Sequence, residues 1–148
     1  MKTETLLYLG AGLLIALLIF GGDFMANTLY DRMAKAIMEF EGYFEGSVSY
    51  KNKNPGNLKN VGQAGAIGTD NQGHAIFGTF EDGYQALINQ IRRMFQGYGT
   101  IYQPSMSLYQ VFSKYAEGNS RQYAEFVAAR LGVSPENTLE QIAGSVTV

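Results

Sequence analysis

The chain has 148 residues, enough for one domain and an appendage. Its net charge of −2 offers no electrostatic ground for binding nucleic acid, and the absence of cysteine excludes disulfides and thiolate-held metal. Hydrophobic residues make up 46 %, an ordinary share for a protein that buries a core.

From Thr5 to Gly22 the sequence TLLYLGAGLLIALLIFGG carries no charge. As a helix rising about 1.5 Å per residue it is about 27 Å long, just enough to cross a bilayer core. A helix apolar on every side suits lipid better than a protein interior. A cleaved signal peptide is the rival reading, but Asp23, Phe24, Met25 and Ala26 do not form a small-x-small cleavage site. The expectation is therefore a single transmembrane helix within an anchor of residues 1–26, with one domain over residues 27–148 outside the cytoplasm. Lys2 on one flank against Arg32 and Lys35 on the other leaves the charge rule for orientation blurred.

Thr28 is placed to cap a helix from Leu29 to Glu41, with Asp31 at its third position and Gly42 as its stop. Glu45 to Asn60 reads as loop, with Pro55-Gly56 setting a tight turn inside NKNPGN. Ala66 to Phe80 has two short apolar runs around Asp70-Asn71-Gln72-Gly73, the pattern of a β-hairpin. Thr79 caps the next helix, where Tyr84, Leu87, Ile88, Ile91 and Phe95 recur at helical spacing. Two further amphipathic helices cover Leu108 to Ala116 and Arg121 to Leu131, and Ser134-Pro135-Glu136 opens a last one. The layout is α+β, mostly helical, with one small hairpin.

Two glutamates near the end of the first helix differ in prospect. On a helical wheel Glu41 shares the stripe of Tyr30, Ala34 and Ile37, whereas Glu39 faces outward near Lys35, a weak partner one turn back. A carboxyl group on the apolar side of a helix end is pushed toward its neutral form by desolvation and by the helix dipole. Such an acid can protonate a leaving-group oxygen, the need of glycosidic cleavage. The opposite reading, a frayed helix with Glu41 exposed, fits the periodicity equally well. Glu45 and Asp70 are open to a double reading as second carboxylate or surface acid. Asp82 reads as a cap, and His74 has no partner at metal or triad spacing, so it reads as structural or surface. The tyrosines and phenylalanines read first as core, although the same ring faces can stack on sugars.

Glu41-Gly42, NKNPGNLK over Asn52 to Lys59, GAIGTDNQGHAIFGTFEDGYQAL over Gly65 to Leu87, and YAEGNSRQYAEFVAARLGV over Tyr115 to Val133 occur in that order. Together these blocks resemble a family of phage and mobile-element peptidoglycan-degrading domains, the lysozyme-like lytic transglycosylases. The likeness runs over roughly residues 36–139. It implies a lysozyme-like fold with a glycan groove, and it makes Glu41 the catalytic acid/base. It places Asn54, Asn57, Tyr115 and Asn119 as substrate-binding residues and requires no metal or other cofactor. The implied partners are peptidoglycan glycan strands, the bilayer through residues 5–22, and virion or secretion-channel proteins. The expected reaction cleaves the bond between N-acetylmuramic acid and N-acetylglucosamine and leaves a 1,6-anhydro ring. A lysozyme-type hydrolase, or an inactive glycan-binding virion protein, are the alternatives.

Overall fold

A computed structural model describes residues 29–146. Helix α1 covers residues 29–40, and its apolar stripe (Leu29, Met33, Ala34, Ala36, Ile37) is wholly buried. It ends because Gly42 adopts a left-handed conformation, φ 68°. Two backbone bonds close over that glycine, from Gly42 N–H to Glu39 O at 3.1 Å and from Tyr43 N–H to Met38 O at 3.1 Å. Glu41 is therefore the terminal cap residue of α1, at the negative end of its dipole.

The predicted loop after it contains one helical turn, α2, Val48–Lys51, capped by Ser47. The turn escaped notice because four residues carry too little periodicity to register. Strands β1, Ala66–Thr69, and β2, Ala75–Phe77, pair antiparallel as expected, Thr69 opposite Ala75 and Ala66 opposite Phe77. The segment 52–58 is tied to this hairpin. Ala75 N–H donates to Leu58 O at 2.8 Å, and Phe77 N–H donates to Asn52 O at 2.9 Å.

Helix α3, Phe80–Gln96, starts at the Thr79 cap, whose hydroxyl accepts from the Asp82 N–H at 3.1 Å. Its buried face (Leu87, Ile91, Met94) meets α1, α4 (Leu108–Tyr115), α5 (Ser120–Leu131) and α6 (Leu139–Val146) in one core. Phe112, Tyr123, Val127, Leu139 and Ile142 fill the centre of it. The last helix begins later than Ser134-Pro135 suggested. Residues 134–137 fold into a turn, and Thr138 becomes the cap, exchanging bonds with Gln141. Glu39 likewise finds a different partner: Arg130 Nε donates to it at 2.9 Å, while Lys35 pairs with Asp31 at 2.6 Å.

The mixed, mostly helical architecture with a two-stranded sheet is present, but the predicted fold class needs one correction. Among the described residues no helix is long and apolar enough to cross a membrane. The single transmembrane helix is thus no part of the fold described. The stretch it was expected on, Thr5 to Gly22 in residues 1–26, lies outside the described residues, as does the Thr28 cap.

Gly83 decides how closely α3 approaches the 52–58 segment. A Cβ there would collide with the Lys53 carbonyl and come within 3.1 Å of Pro55 Cδ. In an open helix a glycine-to-alanine change stabilises by about 1 kcal/mol. Here Gly83→Ala is expected to destabilise by about 1–3 kcal/mol, the usual cost of overpacking, measured by urea unfolding.

Candidate functional site

A cleft of about 600 Å³ opens between the hairpin side of the molecule and the α4–α5 side. That is within the range of small-ligand sites. Glu41 lies on its wall. The Tyr123 hydroxyl, from the middle of α5, donates to Glu41 Oε1 at 2.8 Å across 82 residues of sequence. Tyr123 is only 2 % exposed. It is held there by stacking on Phe112, ring centroids 4.4 Å apart, and by Phe40 at 4.0 Å.

Burial pushes the Glu41 carboxyl above the usual range; the Tyr123 hydrogen bond, a weaker one from Asn57 and the charge of His74 pull it back, and Glu117 adds to the rise. Burial and the Glu41 charge push the Tyr123 phenol far up, so its hydroxyl keeps its proton. That proton is committed to Oε1, which leaves Oε2 to carry the exchangeable proton of the neutral acid.

The remaining candidates divide. Asn57, Tyr115 and Asn119 line the cleft with Glu41. Asn57 takes a left-handed backbone, φ 49°, and its Oδ1 is buried with no hydrogen-bond partner. Tyr115 donates to the Gly56 carbonyl at 2.6 Å, which docks α4 onto the NPGN turn. Asn119 precedes α5 without capping it through its side chain, φ 52°, and is exposed.

Asn54 does not reach the cleft, so its assignment as a substrate-binding residue is corrected. It is 0 % exposed, and its amide is used up on backbone: Nδ2 donates to Leu58 O and Ala75 O, and Oδ1 accepts from Leu58 N–H, all at 2.9 Å. Its role is to hold the turn against β2. Glu45 is exposed and not on the cleft wall, and Asp70 is engaged in the hairpin turn.

Tyr123, Glu117 and His74 are cleft residues that the sequence reading did not assign to the site. Glu117 lines the rim as an exposed carboxylate paired with Lys59 at 3.0 Å. It sits in a short Glu-Gly link with no periodicity to read. His74 is also on the wall, although it was read as structural or surface.

Glu41→Gln tests the electrostatics directly. A carboxyl whose pKa is raised in the fold contributes stability below its unfolded pKa and loses it as pH rises through the folded value. The variant should therefore melt above the wild type at pH 7, and the gap should close below about pH 4. Tyr123→Phe removes a donor to the carboxylate and should move the Glu41 titration further up, read by carboxyl ¹³C NMR.

Comparison of the chain with protein-family models, with curated proteins and with solved structures finds no match.

Proposed function

We propose that this domain is a peptidoglycan lytic transglycosylase. One observation carries the reading: a desolvated carboxyl group at a helix end, Glu41, stands on the wall of a sugar-sized cleft with one oxygen pinned by a permanent donor. That arrangement suits an acid that must be neutral before the reaction and charged halfway through it.

In the proposed reaction Oε2 gives its proton to the glycosidic oxygen between N-acetylmuramic acid and N-acetylglucosamine. The C1–O bond breaks and its electron pair leaves with that oxygen. Tyr123 stabilises the carboxylate formed, through the hydrogen bond it already makes. The carboxylate then takes the proton of the muramoyl C6 hydroxyl, whose oxygen bonds to C1. The products are a 1,6-anhydro end and a regenerated acid, with no water consumed. A peptidoglycan substrate puts this chemistry outside the cytoplasm, and partners in a virion or secretion channel belong to the same proposal.

Glu117 favours a second reading. A rim carboxylate able to activate water would make the enzyme a muramidase. A third class, a glycan-binding module without turnover, is separated from both by activity.

A zymogram of the full chain against purified peptidoglycan is expected to clear. Glu41→Gln should lose about 10³-fold in rate, the usual contribution of general acid–base catalysis. Mass spectrometry of released muropeptides should find ends lighter by about 18 Da, one water, than hydrolysed ends. Hydrolysed ends that vanish in Glu117→Gln would establish the muramidase, and binding without clearing would establish the module.

A further inference from the structure

The chain has one histidine, and the proposed reaction makes no use of it. His74 is 5 % exposed, yet it lines the cleft. Its Nδ1 lies 3.2 Å from Asp70 Oδ2. Asp70 is itself fixed: Oδ2 also accepts from Asn52 Nδ2 at 2.8 Å, and Oδ1 accepts from the backbone N–H groups of Gln72 and His74, both at 2.8 Å. Burial disfavours the Asp70 charge, but these bonds outweigh it and hold the carboxyl well below the usual range.

An ionised carboxylate only accepts hydrogen bonds, so Nδ1 must be the protonated nitrogen of the ring. In the neutral imidazole Nε2 then carries a lone pair. No group among the described residues bonds to Nε2. Nε2 is not among the sealed, unpartnered polar atoms of these residues, so it keeps some accessible surface, and His74 lines the cleft. A histidine retained for packing alone leaves no polar atom in search of a donor. Asn57 also lines the cleft, although its own unpartnered Oδ1 is sealed from it. An acceptor in the cleft that holds Glu41 suits a ligand that offers O–H or N–H groups.

We infer that His74 Nε2 accepts a hydrogen bond from a hydroxyl or acetamido N–H of the glycan lying across Glu41, with Asp70 as the positioning residue that fixes the ring. The inference rests on the glycan-cleaving reading above and deepens it. His74 takes no proton in the reaction; it orients the sugar on which Glu41 acts.

Because there is a single histidine, ¹⁵N-histidine labelling reports on this ring alone. The full chain carrying Glu41→Gln, which binds without turnover, is titrated with soluble peptidoglycan fragments. In the neutral form of the ring Nδ1 is expected to carry the proton and Nε2 the lone pair, and Nε2 is expected to shift on binding while Nδ1 holds still. In the otherwise native chain His74→Phe keeps the ring bulk and should raise KM about tenfold or more, with a smaller change in kcat. Asp70→Asn presents a donor to Nδ1, so it should reverse the tautomer and raise KM likewise.

A neutral ring that carries its proton on Nε2 in the free protein overturns the inference. So does an Nε2 that stays unmoved at saturating fragment, while the native chain still cleaves, and the glycan reading then survives. Failure of the native chain to cleave and of the variant to bind overturns both. Should His74→Phe not fold, the histidine spectrum decides alone, since it is recorded with the residue in place.

Discussion

The hydrogen bond from Tyr123 to Glu41 organises this molecule more than any other contact. It joins the end of α1 to the middle of α5, and it does so between a group that is costly to bury and one buried in any case. A carboxyl group on an apolar helix stripe is a liability to folding. Here the liability is met chiefly by one phenol, with Asn57 as a weaker partner. The aromatic stack of Phe40, Tyr123 and Phe112 fixes the phenol in place, so the core and the carboxyl group share a wall. Burial disfavours the Glu41 charge, and the fold carries that cost at one side chain beside an otherwise apolar core cluster.

The second organising element is the turn around Asn54. Its amide does the work of a short strand, bonding to the backbone at Leu58 and Ala75. That fastens the Pro-Gly turn to the hairpin, and Tyr115 fastens it from the other side through the Gly56 carbonyl. The two walls of the cleft are thereby referenced to one another by direct bonds at its floor. At the rim, by contrast, the Lys59–Glu117 ion pair is exposed, and pairs of that kind are worth little in water. Buried or half-buried hydrogen bonds thus join the walls on one side of the cleft, and an exposed ion pair joins them on the other.

Much of this was legible in the sequence where information is local. The stripe that carries Glu41 inward, the glycine that ends its helix, the hairpin around Asp70 to Gly73 and the Thr79 cap are all written within a few residues of where they act. What was not legible depends on distance. Tyr123 is one tyrosine among ten, and nothing near it in sequence marks it as the partner of an acid 82 residues away. Asn54 and Asn57 sit in one motif, yet one faces backbone and the other the cleft, a difference made by left-handed geometry at Asn57. His74 has no partner at metal or triad spacing in the sequence. Its actual partner, Asp70, stands four residues back across a turn, where neither spacing rule looks. The apolar segment near the start illustrates a different limit: composition suggests a lipid span, and the fold described does not include one.

The glycine at position 56 carries a consequence for how such a molecule can diverge. A side chain there would press within 2.8 Å of Leu87 Cδ1 and 3.0 Å of the Tyr115 hydroxyl. Those three positions, far apart in the chain, form a lock with a single empty socket. A larger residue at position 56 needs Leu87 or Tyr115 to give way, so such a change is expected together with a change at one of those two.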